Sequence, residues 1–164
     1  MARARRRQLK WYERQLERFA ASPAGGWFFV EVANRVDPFL LRATKGRFSV
    51  AVGQPVLLLT TKGAKSGATR ETPLLYAEDG DRLVVVASKA GSPKHPAWYH
   101  NIRANPTVDI LAPRGRSGRY VGHEAEGEER ARLWEEVNDL YAGYNVYQGR
   151  AGFRRIPVVV FSRV

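Results

Sequence analysis

The 164-residue chain contains no cysteine, one methionine and three histidines, and its 16 acidic residues are outnumbered by 27 lysines and arginines. Without thiols there can be no structural disulfides, thiolate zinc sites, cysteine-held iron–sulfur clusters or cysteine nucleophile. Any redox chemistry must come from a bound cofactor. His95 and His100 are five residues apart, not the four that place two helical ligands on one face, and His123 stands alone, so no metal is expected. No apolar run reaches the ~18–20 residues of a membrane span, and the basic N-terminus lacks the apolar stretch of a signal peptide. The expected location is therefore cytoplasmic. Gly-x-Ser-x-Gly and Gly-x-Gly-x-x-Gly are also missing, so a catalytic apparatus built from side chains alone is not expected.

What is present is the composition of one globular domain, 44% hydrophobic and 26% charged, with a net charge of +11. That charge points to an anionic partner: nucleic acid, a membrane surface or a phosphorylated ligand. Its distribution is uneven. Arg3, Arg5, Arg6, Arg7, Lys10, Arg14 and Arg18 against Glu13 and Glu17 give the first 18 residues +5 of the total. At 100° per residue, Leu9, Tyr12, Leu16, Phe19 and Ala20 share one helical face, opposite Arg3, Arg7, Lys10, Arg14 and Arg18. Such a helix over residues 3 to 20 suits an anionic membrane surface, making the protein peripheral at the inner face of the cell membrane. Alternatively its apolar face packs on the domain or on a second subunit, as in a homodimer. Ser22-Pro23-Ala24-Gly25-Gly26 reads as a linker, dividing a leader, 1 to 26, from a single domain, 27 to 164.

Within that domain, Phe28, Phe29, Val32 and Val36 mark a helix from about Trp27. Asp37-Pro38 then reads as an N-cap and first position of another helix, with Phe39, Leu40 and Leu41 leading to a stop at Gly46. Two short helices joined by a kink are expected. Short β-rich runs follow at Phe48 to Val52, Val56 to Thr61, Thr72 to Tyr76, Leu83 to Ala87, Val108 to Leu111, Arg119 to Glu124 and Ile156 to Phe161. A hairpin is predicted across Glu78-Asp79-Gly80-Asp81. Helices are predicted over about Pro96 to Ala104 and Gly127 to Tyr141. Six or seven short strands with few helices argue for a small closed barrel.

Three segments carry chemistry. Lys62-Gly63-Ala64-Lys65-Ser66-Gly67-Ala68-Thr69-Arg70 joins two strands, and its glycines and cations suit a phosphate or carboxylate, although a solvated hairpin loop has the same composition. Its three-residue glycine spacing, followed by a strand, is not that of a Walker A loop. Ser88 to Pro96 leads into the helix bearing Trp98, Tyr99 and Asn101; it is either an anion site at a helix N-terminus or an ordinary connection with Trp98 in the core. Tyr141, Tyr144 and Tyr147, three residues apart, form either a pocket for a flat ligand or a packing stripe. Small basic barrels with aromatics also bind single-stranded nucleic acid, but no recognition motif for it is present.

In register, Leu57-Leu58-Leu59-Thr60-Thr61-x-Gly63-x-Lys65-Ser66-Gly67-x-x-Arg70-x-x-Pro73-Leu74, then Ala87-Ser88-Lys89-x-Gly91, then Pro96-x-Trp98-Tyr99-x-Asn101-x-x-Ala104-Asn105-Pro106 resemble the deazaflavin-dependent nitroreductase family. With Tyr141, Tyr144, Tyr147 and Ile156-Pro157-Val158-Val159, the resemblance covers about residues 38 to 161. It implies a split β-barrel of the kind shared with FMN-binding proteins. The cofactor it implies is the deazaflavin coenzyme F-420, a hydride carrier with a phosphate and an acidic polyglutamate tail. FMN as a tightly held group is the alternative. The implied activity is hydride transfer from the reduced coenzyme to a quinone, enone or nitroaromatic acceptor. By the same resemblance, Thr60, Ala64, Lys65, Ser66, Gly67, Ala68, Thr69 and Arg70 would bind the coenzyme, with Lys65 and Arg70 the main cations for its phosphate and tail. Val86, Ala87, Ser88, Lys89, Ala90, Gly91, Ala97, Trp98, Tyr99 and Asn101 would line the deazaflavin. Trp98, Tyr141, Tyr144 and Tyr147 would face the acceptor, and Tyr144, Ser88 and Tyr141 would act as donors to it. Leu75 stands where some members have an aromatic pocket residue, which bears on substrate range.

Overall fold

The computed structural model describes residues 23–51 and 53–164, so the basic face expected over residues 3 to 20 lies outside the described residues. Helix α1, Pro23–Ala43, leads into the barrel strands β1, Val56–Lys62, β2, Thr69–Asp79, and β3, Arg82–Val86. A 3-10 turn, Lys89–Gly91, and helix α2, Ala97–Ala104, follow. Then come β4, Thr107–Leu111, β5, Gly118–Glu124, helices α3, Gly127–Leu140, and α4, Gly143–Arg150, and finally β6, Val158–Arg163. The six strands close in the order β1-β2-β3-β6-β5-β4, every neighbouring pair antiparallel.

Strand periodicity sorts the apolar side chains into an inner and an outer layer. Leu57, Leu59, Leu83, Val85, Val159 and Phe161 point into the barrel, where Trp98, Tyr99 and Ile102 of α2 join them. Their neighbours Val84, Val86, Val158 and Val160 point outward and are covered by Leu133 and Val137 of α3 and by the tyrosines. On the opposite flank, Val56 and Leu58 meet Leu41 of α1. Burying about a dozen such side chains at roughly 1.5–3 kcal/mol each makes the two-layered barrel the dominant stabilising feature. At the β2–β3 turn, Asp79 pairs with Arg82 and Gly80 takes a φ of +61°, the hairpin expected from Asp-Gly.

Three expectations need correction. Pro23 to Gly26 are not linker but the start of α1. Nor does Asp37 cap a second helix: α1 runs through Pro38, and buried Asp37 accepts a hydrogen bond from the Val50 N–H at 2.7 Å. Proline weakens a helix interior, but docking of fully buried Leu41 holds this one together. Phe48 to Val52 is not a strand in its described positions, 48–51, because a closed barrel leaves no edge for another strand to join. The helix expected over about Gly127 to Tyr141 is α3, which stops at Leu140. Tyr141 is extended, with φ −145° and ψ 99°, and Tyr144 and Tyr147 belong to the separate α4. Gly143 permits this break, since a Cβ there would lie 2.4 Å from the Tyr141 ring. Among the described residues, no helix is long and apolar enough to cross a membrane.

Candidate functional site

Strand β2 is longer than its partner β3, which pairs only with Tyr76 to Asp79. Thr69 to Leu74 therefore project beyond the end of β3, and the chain leaving Val86 turns off at the level of Leu75. The glycine loop, the 88–91 turn and α2 gather at this end of the barrel. Inside the loop, the Gly63 N–H donates to the Ala68 carbonyl and the Gly67 N–H to the Gly63 carbonyl, both at 2.8 Å. Gly67 has a φ of +68°, open to glycine at little cost.

Asn101 fastens this loop to α2. Its Oδ1 accepts from the Ala64 N–H and its Nδ2 donates to Thr61 Oγ1, each at 3.0 Å, and the side chain is buried. Ala64 thus spends its backbone donor on Asn101. Trp98 and Tyr99 flank it as core residues, and the Tyr99 hydroxyl donates to Glu124 of β5. Burial and that bond push the Tyr99 hydroxyl up to about 12.

The 88–91 turn has an unusual backbone. Ser88 is right-handed, and Lys89, Ala90 and Gly91 follow with φ of 47°, 52° and 79°. A left-handed conformation costs a non-glycine residue roughly 1–2 kcal/mol, so the surroundings must hold it. The right-to-left alternation at Ser88 and Lys89 is the kind that turns successive N–H groups toward an anion. Helix α4 rests directly on the turn: a Cβ on Gly91 would meet the Tyr147 carbonyl oxygen at 2.8 Å. Helix α1 also touches this turn.

The tyrosines form one buried group. Ring centroids lie 5.2 Å apart for Tyr141 and Tyr144, 6.0 Å for Tyr141 and Tyr147, and 6.4 Å for Tyr144 and Tyr147. The hydroxyls of Tyr141 and Tyr147 share a hydrogen bond of 3.1 Å. Burial raises the Tyr144 hydroxyl well above the ordinary tyrosine range. Val86, Leu75 and Ala90 pack against the same group, bringing the aromatic wall to the 88–91 turn.

Residues 34–163 match the model of a family described as F420H(2)-dependent quinone reductase. The chain belongs to that family. It is 42% identical over 133 residues to an F420H(2)-dependent quinone reductase of Mycobacterium tuberculosis, spanning 79% of this chain and 89% of the relative. A solved F420-H2 dependent reductase, FDR-A, superposes with a TM-score of 0.58 at 41% identity, covering 66% of this chain and 94% of that one. A solved domain-swapped dimer superposes with a TM-score of 0.61 at 36% identity, covering 78% and 97%.

The residues present fit the coenzyme of the F420H(2)-dependent quinone reductases. Lys62, Lys65 and Arg70 are exposed on the glycine loop, and among the described residues no carboxylate pairs with any of them. Elsewhere on the barrel Arg82, Arg116, Arg119 and Arg132 are all engaged by Asp or Glu. Cations left without counterions beside a left-handed turn suit an acidic ligand. Other expected residues have structural places. Thr60 pairs with Asp109 of β4, Ala87 and Trp98 are in the barrel core, and Gly91 lies under α4. Ser66 Oγ accepts from the Ala68 N–H at 3.3 Å, and Ala97 is exposed at the start of α2. One residue with a central position carried no sequence signal: Arg154, whose guanidinium reaches the carbonyls of Ala87, Ser88 and Ser92. Its partners are main-chain atoms more than sixty residues away, so no motif announces it.

Proposed function

We propose that this protein carries a hydride from reduced coenzyme F-420 to a quinone, with enones and nitroaromatics as related acceptors. The observation that carries the reading is the meeting of three parts at one end of the barrel. These are a loop of unpaired cations, a left-handed turn at Ser88 to Gly91 and a buried tyrosine wall. When bound, the deazaflavin supplies the hydride, so the protein has to bind, orient and exclude water. Lys65, Arg70, Ser66, Gly67, Ala68 and Thr69 hold the phosphate and acidic tail, while Thr60, Ala64 and Asn101 shape the loop around them. Val86, Ala87, Ser88, Lys89, Ala90 and Gly91, with Ala97, Trp98 and Tyr99, form the bed of the ring. Tyr141, Tyr144 and Tyr147 face the acceptor, with Trp98 beside it. Tyr144, Ser88 and Tyr141 are the donors to negative charge developing on the acceptor oxygen. Support for Tyr144 comes from its buried place between Tyr141 and Tyr147 in the wall beside the 88–91 turn.

Titrating the purified protein with F-420 and with FMN, then assaying a panel of quinones and enones with the reduced coenzyme, tests the proposal. Saturable F-420 binding and quinone-dependent oxidation are expected. Tight FMN binding without response to the deazaflavin would overturn it.

The opposed basic and apolar residues between Arg3 and Ala20 support attachment to an anionic lipid surface, where a lipid-soluble quinone resides. Deleting residues 1 to 22 should abolish sedimentation with anionic vesicles while coenzyme binding survives. Similarity to a domain-swapped dimer supports a homodimer, read out by sedimentation velocity.

A further inference from the structure

We propose that Arg154 is the positioning residue of the coenzyme site: it fixes the left-handed Ser88–Gly91 turn, and with it Ser88, from behind. The inference rests on the function proposed above. The turn contains two non-glycine residues at positive φ, Lys89 and Ala90, so something outside it must hold the backbone in that shape. Arg154 reaches across from the segment after α4 and touches it on both sides. Its Nη2 donates to the Ser88 carbonyl at 2.7 Å, its Nη1 to the Ala87 carbonyl at 3.0 Å, and its Nε to the Ser92 carbonyl at 2.8 Å. Nη1 also lies 3.2 Å from His95 Nδ1, which accepts in the neutral tautomer protonated at Nε2.

Four contacts from one planar group tie the end of β3 to the approach of α2. Only a guanidinium has this reach, because a lysine ammonium on its flexible stem cannot present a fork in fixed directions. The cation is partly buried and, among the described residues, carries no carboxylate partner; carbonyl dipoles and the His95 Nδ1 lone pair offset its charge. The protein thus retains a half-desolvated charge behind the turn. An acidic ligand on the other side gains from that charge without touching it.

Two measurements on Arg154→Lys test this, the first of which needs no coenzyme. Hydrogen exchange of the apo protein should show the Ala87 to His95 amides exchanging about tenfold faster or more, with β1, β4 and β5 unchanged, since charge-assisted bonds to the turn are lost while a cation remains. In the loaded enzyme, the Kd for F-420 should rise about tenfold and kcat should fall, with the KM for the quinone unchanged. Added guanidinium should restore part of both in Arg154→Ala. Wild-type exchange in the turn overturns the proposal, and so does loss of protection throughout the barrel, which would make Arg154 a general determinant of folding. Failure of wild-type protein to bind F-420 would refute the function proposed above and leave the exchange result standing on its own.

Discussion

Asn101 Oδ1 accepts the Ala64 backbone N–H at 3.0 Å, joining helix α2, whose Trp98, Tyr99 and Ile102 enter the barrel core, to the loop of Lys62, Lys65 and Arg70. Replacing Asn101 by Ala leaves the Ala64 N–H and the Thr61 hydroxyl without this partner, at a cost of about 1–3 kcal/mol. Urea unfolding should register that loss, and F-420 affinity should fall about tenfold as the loop loosens. Asn101→Asp keeps the acceptor for Ala64 and should recover much of the stability. Its negative charge beside the loop should still weaken coenzyme binding.

Gly91 has no room for a side chain. A Cβ there would sit 2.8 Å from both the Tyr147 carbonyl oxygen and Arg150 Cβ, and φ is +79°. Gly91→Ala should therefore push α4 off the turn, lowering stability by about 1–3 kcal/mol and displacing the tyrosine wall. Thermal melting and quinone turnover should both suffer. Gly80→Ala is the control: its φ is +61° but nothing lies within 4 Å, so it should cost about 1 kcal/mol with turnover intact.

Tyr144→Phe separates the hydroxyl from the ring. Steady-state assays should show kcat reduced about ten- to hundredfold if the hydroxyl donates to the acceptor, with the melting temperature close to wild type. Tyr144→Ala also opens a cavity against Tyr141 and Tyr147 and should cost about 3 kcal/mol. Unchanged turnover in Tyr144→Phe would reduce this tyrosine to packing.

Acid should destabilise the protein in two stages. His95 is pushed below its ordinary 6.5, first by burial and then by Arg154, so the unfolded chain takes its proton earlier; stability falls as pH drops below 6.5 and levels off once the folded site is protonated too. Asp79 is held below 3.8, first by its hydrogen bond with Arg132 and also by Arg82, so its contribution is complete above 3.8 and disappears as pH falls through the folded value. Urea unfolding across pH 2 to 8 should show both arms. Asp79→Asn should flatten the lower one and cost about 1 kcal/mol at neutral pH, since solvent screens the partly exposed pair.

Short β-rich runs bounded by turn residues sufficed to place β1, β3, β4 and β5 within a residue or so, because those runs are buried as the barrel's two apolar layers. The glycine loop, the turn after β3 and the tyrosine series were equally legible as candidate chemistry, since glycines, cations and aromatics there are few and closely spaced.

Where local pattern and long-range packing disagreed, packing decided. Asp37-Pro38 has the local form of a helix start, yet docking of Leu41 on Val56 and Leu58 carries α1 through it, and Asp37 turns to Val50. The run at Phe48 looks like a strand but finds no edge on a closed barrel. The tyrosines, three residues apart in sequence, fall on different elements, because the Tyr141 ring folds over Gly143 between α3 and α4. Arg154 and Asn101 illustrate the same limit at the site. Their bonds run to backbone atoms and a hydroxyl brought near by barrel closure, and a hydrogen bond formed across sixty or forty residues leaves no periodicity in the chain that makes it.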